Sequence, residues 1–226
     1  MNGTTWKTVS QTLKWVINTL IHQSVAVLAC YMIWVPIETY KNLMSWHVIL
    51  CTLGIFPLAT EAFLLFHSNN VWSQEIQRKS KYWVHAALLT TSFVFEFGGV
   101  TIAVLSKSNS PNPDHFQSTH VVLGLLTSLF LLLIIILKII SISTRKYQSL
   151  GVLMWCKLGH NILGQVTYLF CITTLCTGIY TTYFSDHTSI DSRAVVTTFT
   201  LIISLCSLMG AWKSTYKQIL SIRAYA

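Results

Sequence analysis

Charge is what this sequence most lacks. Of 226 residues only 10% are Asp, Glu, Lys or Arg, while 53% are hydrophobic; a soluble domain carries about a quarter charged residues. The acidic residues number seven, and two of them, Glu61 and Glu96, fall well inside long apolar runs. A soluble helical protein needs a polar stripe on each surface helix, and the run 121–137 has none. The shortage of charge therefore excludes an ordinary soluble fold and leaves a bundle embedded in a lipid bilayer. The formal net charge of +8 does not argue for nucleic acid, because the basic residues are not pooled on one arm or helix face. Also missing is any C-x-x-C pair among Cys30, Cys51, Cys156, Cys171, Cys176 and Cys206. Most of these thiols sit in apolar runs, where cysteine acts as a small hydrophobe.

What the chain does have is apolar runs of membrane-crossing length. Windows of about 20 residues predict an all-α, six-span transmembrane bundle with spans at 15–35, 47–67, 84–106, 119–141, 158–183 and 194–212. The gaps are short and carry turn residues, most plainly Ser108-Asn109-Ser110-Pro111-Asn112-Pro113-Asp114. One domain over 1–226 is expected, with a core at 45–183 and peripheral spans at 15–35 and 194–212.

A cytosolic N-terminus puts Lys7, Lys14, Arg78, Lys79, Lys81, Lys138, Arg145, Lys146, Lys157, Lys213, Lys217 and Arg223 at the inner face. Only Lys41, Lys107 and Arg193 are then outside, a strong positive-inside bias that predicts both termini in the cytosol. Span one lacks a cleavage site and reads as a retained anchor. The sequon Asn2-Gly3-Thr4 then faces the wrong compartment for glycosylation.

Ionisable side chains inside a membrane tend to face a bundle interior, a partner or a cofactor. His47, His85, His120 and His160 each fall near the start of spans two, three, four and five. Successive spans run antiparallel, so His47 and His120 share the outer leaflet and His85 and His160 the inner one. At 100° per residue each heads a stripe of small or polar residues. Span two has Gly54 and Glu61, and span three Ser92, Glu96 and Gly99. Span four has Gly124 and Thr127, and span five Gly164, Thr167, Cys171 and Gly178. Small residues let helices approach closely and also leave room beside a histidine for a flat macrocycle. Two neutral imidazoles from facing helices can fill both axial positions of a haem iron, which favours electron transfer over oxygen chemistry. A hydrocarbon core about 30 Å thick calls for one such centre in each leaflet. Without a C-x-x-C-H motif, any haem is held noncovalently. The competing reading is a cofactor-free proton-coupled or metal-ion transporter that uses Glu61, Glu96 and the histidines as a relay. His22 and His67 find no partner in register and read as bundle or interface residues.

Particular segments bear a likeness: Ser45-Trp46-His47, Thr60-Glu61-Ala62, Arg78-Lys79 before His85, His115 and His120 around the start of span four, and Lys157 with His160 and Gly164. Together with six spans they resemble the cytochrome b561 family, closest to its compact branch of cytochrome b561 domain-containing proteins, along essentially the whole chain. One departure is Val48, where many members have proline after the span-two histidine.

The resemblance implies two haem b groups, the outer held by His47 and His120 and the inner by His85 and His160. It implies an oxidoreductase that moves single electrons from cytosolic ascorbate to monodehydroascorbate radical or ferric iron across the membrane. A homodimer, and residence in an endomembrane such as the endoplasmic reticulum or a vesicle, or in the plasma membrane, are consistent with it. Ascorbate is an anion, so Lys79, Lys81 and Lys157 are the candidate donor-site residues, with Arg78 and Arg145 further out. His115, beside Phe116, is the candidate contact for the outer acceptor. The outer residues Asp114, Asp186 and His187 are not assigned to it.

Overall fold

The computed structural model describes residues 3–40, 42–108, 118–147 and 149–225. His115, Phe116, Asp114, Lys41 and Asn2 of the sequon lie outside the described residues. Six long helices carry the chain: α1 (Gly3–Glu38), α2 (Met44–Leu64), α3 (Arg78–Ser108), α4 (Thr119–Thr144), α5 (Leu150–Ile179) and α6 (Ile190–Tyr225). All six are long and apolar enough to cross a membrane. Where water is excluded, a helix satisfies its backbone groups internally, so the fold expected from hydropathy is the one observed.

The helices outrun the apolar windows. At 36 residues each, α1 and α6 reach about 54 Å, well past a core about 30 Å thick. α5 begins eight residues before the predicted 158, because Ser149 caps it by accepting from the Val152 N–H. It stops at Ile179, and Tyr183 belongs to a separate turn, Thr182–Ser185. α2 stops at Leu64, which leaves His67 in the loop that follows. In consequence His85 and His160 lie two to three turns into their helices rather than at the start.

α2 is not a uniform helix. Its α-helical start, Met44–Leu53, gives way to a π-helical turn at Gly54–Ala59 and then to Thr60–Leu64. Pro57 lies in the π turn, and its missing N–H and bulky ring oppose the tighter α ladder there. One extra residue in the turn rotates everything after it by about 100°. Glu61, expected on the His47 face, instead meets His22 of α1 with 2.6 Å between Nδ1 and Oε1. The reading of His22 as partnerless is thereby corrected.

The dense core is built by α1, α2, α5 and α6 around Met32, Phe56, Tyr168, Ile172 and Leu208. Tyr168 ties three of these helices together, bonding Thr60 at 2.8 Å and Ser207 at 3.2 Å. α3 and α4 flank this core. α3 lies close along α2, where a Cβ on Gly54 would stand 2.8 Å from the Ser92 carbonyl oxygen and one on Gly99 2.6 Å from Cys51 Sγ. α4 lies along α5, joined by the buried Thr127–Thr174 hydroxyl pair at 2.9 Å.

Candidate functional site

Towards one end of the bundle, α2 and α4 bring His47 and His120 together, with ring centroids 6.1 Å apart and planes at 71°. A metal–imidazole bond is about 2 Å and the ring centre about 1 Å beyond the nitrogen, so two imidazoles on one metal have centres about 6 Å apart. The observed spacing is that of two imidazoles which could share one metal ion. Towards the other end, His85 of α3 and His160 of α5 lie within electrostatic reach of each other.

Backbone carbonyls from other helices aim three of the four rings. His47 donates from Nδ1 to Gly99 O at 3.0 Å, His120 to Thr174 O at 3.0 Å, and His85 to Ala62 O at 3.1 Å. A carbonyl only accepts, so Nδ1 carries the hydrogen and Nε2 keeps its lone pair, the tautomer a metal-binding imidazole needs. His160 departs from the pattern, with Nδ1 buried and unpartnered. Packing holds the rings as well. Phe66 stands edge-on to His85 at 5.3 Å, and a Cβ on Gly178 would lie 3.0 Å from His120 Cε1. Gly178 is therefore required by the close approach of the His120 ring.

Among the described residues, no three His, Cys, Asp or Glu side chains gather into a metal-binding group. An iron held by one of these histidine pairs would take its remaining ligands from a porphyrin, so the donor set fits haem better than a bare ion.

Two lysines lie near the pairs. Lys107 acts electrostatically on both His47 and His120, and Lys138 on both His85 and His160. The signal for Lys138 was present in the sequence: it follows His120 by 18 residues, five full turns, and so shares its face one leaflet away.

Of the proposed donor-site residues, Lys79 and Lys157 are exposed, and Lys81 is half-buried with its Nζ 3.4 Å from Ser73 Oγ. Lys81 thereby reaches the loop 65–77, which is held by its own bonds. Asn70 donates to Leu64 O at 2.8 Å, and Ser73 to Leu65 O at 2.9 Å. Of the two intramembrane carboxyls, Glu96 is 3% exposed with Oε2 unpartnered, whereas Glu61 is shared between His22 and the Trp72 indole N–H.

A comparison with curated proteins finds no match. The family model for eukaryotic cytochrome b561 matches residues 46–185, which takes in all four histidines and leaves α1 and α6 outside. With six membrane-length helices and the match covering more than half of the chain, it belongs to the eukaryotic cytochrome b561 family, multi-pass membrane oxidoreductases that bind haem b and transfer electrons across the bilayer.

Proposed function

We propose that the chain takes single electrons from cytosolic ascorbate and delivers them to monodehydroascorbate radical or ferric iron on the opposite side. Two haem b groups are held by bis-histidine ligation, the outer by His47 and His120 and the inner by His85 and His160. The observation that carries this reading is the His47–His120 pair, 6.1 Å between ring centres with both Nδ1 hydrogens engaged by carbonyls. When bound, each haem supplies reversible one-electron exchange at its iron.

The protein's own residues do the rest. The histidines would hold the haem iron from both helices of each pair and leave it no open position for oxygen. Lys79, Lys81 and Lys157 place positive charge at the inner face where an anionic donor docks, and His115 offers an imidazole to the outer acceptor. Lys138 and Lys107 favour the less positive, reduced state of the centre each faces. Both termini are cytosolic in this reading, in keeping with the basic residues at the inner ends.

The deciding experiment is a visible spectrum of the purified protein before and after ascorbate. A b-type band that sharpens on reduction is expected, and its absence would end the proposal. Replacing His85 or His160 should remove one centre, and replacing His47 or His120 the other. Loss of the same single centre in all four variants contradicts the pairing.

A further inference from the structure

Three polar residues of α1 converge on one region. Gln11, Asn18 and His22 are spaced by seven and four, which places them within about 40° of one another on the helix. Gln11 Nε2 donates to Asn69 Oδ1 at 3.4 Å, and Asn18 Oδ1 accepts from the Val71 N–H at 2.9 Å. His22 Nδ1 meets Glu61 Oε1 at 2.6 Å, and Trp72 Nε1 donates to the other carboxylate oxygen at 3.2 Å. The first two contacts clamp the loop 65–77. The third does more than clamp.

His22 Nε2 is buried and has no partner. One ring nitrogen is thus committed to a carboxylate while the other is an unused proton site, and the side chains are only 14% and 23% exposed. With Nε2 bare the pair carries one negative charge; with a proton there it is neutral overall. The turn that bears Glu61 also bears Ala62, whose carbonyl accepts from His85 Nδ1 at 3.1 Å. The charge of the pair therefore sits one residue from the group that aims an inner-centre histidine.

Resting on the function proposed above, we infer that the His22–Glu61 pair is a redox-linked proton site of the inner centre. An enediol donor that gives up one electron also gives up one proton. The electron reduces the inner ferric iron and the proton binds His22 Nε2, so the charge of the region is unchanged. When the electron moves outward, the proton leaves Nε2 for cytosolic water. His22 and Glu61 are positioning residues in this sense and touch neither donor nor iron.

The packed elements bring other ionisable groups to this end: Lys14 of α1, His67 and Glu75 of the loop, Lys81 of α3, Tyr168 of α5 and Lys213 of α6. Of these residue types only histidine ordinarily titrates between pH 5.5 and 8. His67 is therefore the competitor that a control must remove, while His160, whose Nδ1 is likewise unpartnered, is retained in every variant.

The test is potentiometric titration of the full-length haem-loaded protein between pH 6 and 8, following both centres optically. The inner midpoint potential should fall as pH rises, towards the limit of tenfold per pH unit, about 59 mV, and the outer should stay nearly flat. His22→Phe and Glu61→Gln should flatten the inner slope with haem content unchanged, while His67→Phe should keep it. A flat inner slope in the unsubstituted protein, or a slope unaltered by His22→Phe, overturns the proposal. If both variants lose the inner haem, redox difference infrared spectra of the unsubstituted protein with labelled histidine decide: no imidazole protonation signal also overturns it. Absence of an inner centre in the unsubstituted protein refutes the proposed function instead, which keeps the two failures apart.

Discussion

Each carbonyl that aims a histidine comes from a neighbouring helix, so ring orientation depends on how closely helices approach. Gly178 shows the tolerance. A Cβ there meets His120 at 3.0 Å, so Gly178→Ala should weaken the outer centre and Gly178→Val abolish it, with the inner band intact in the visible spectrum. Charge acts at the same scale. A lysine facing an iron site through partly polar surroundings stabilises the reduced form by on the order of 1 kcal/mol, roughly tens of millivolts. Lys138→Met should lower the inner midpoint potential and Lys107→Met the outer, each leaving the other centre nearly unmoved in a redox titration. That His47 and His120 come together was legible because alternating spans bring both to the same end of the bundle. The carbonyls of Gly99, Ala62 and Thr174 were not, since a backbone acceptor leaves no mark in residue type. His22 was missed for a different reason, which belongs to the element carrying its partner.

That element is α2. A straight helix keeps Glu61 on the face of His47; the π turn at Gly54–Ala59 carries it round to α1. Pro57 and Gly54 signal an irregular helix in the sequence, but a hydropathy window does not register one extra residue per turn. Helix ends were blurred similarly, because windows see apolar content while Ser118 and Ser149 set the starts of α4 and α5. The loop after α2 carries its own pH dependence. Burial, with Lys213 adding to it, holds His67 below its ordinary value, and its Nδ1 accepts from the Asn69 N–H at 3.4 Å. The opened loop takes a proton on this ring more readily than the packed one. The resulting stability is therefore present above about pH 6.5 and is lost as pH falls towards the lower packed value. The protection factors of amides across 65–77, exchange rates relative to the free chain at the same pH, should fall below about pH 6.5, and His67→Phe should remove that fall.

At the scale of the whole molecule, six spans and their order were legible from hydropathy and charge alone. What hydropathy could not show is which helices make the packed core, because every span is apolar and all compete equally for burial. Side-chain fit decides it, and α1 and α6, outside the family match, prove to be half of that core. The basic bias assigns both termini to one side. With the native cysteines replaced, Ser189→Cys should react with an impermeant maleimide on intact right-side-out vesicles. Lys7→Cys and Lys217→Cys should react only after permeabilisation; the reverse pattern would invert the molecule and exchange its donor and acceptor faces.

The core and its two flanks have a mechanical consequence. Each proposed histidine pair spans one core helix and one flank: α2 and α4 for His47 and His120, α5 and α3 for His160 and His85. A haem held by each pair, as proposed, would act as a rivet, and the two rivets would fasten different planks to the same keel. Extracting one should loosen a single flank, so melting would proceed plank by plank, with the order of detachment naming the pair that had let go.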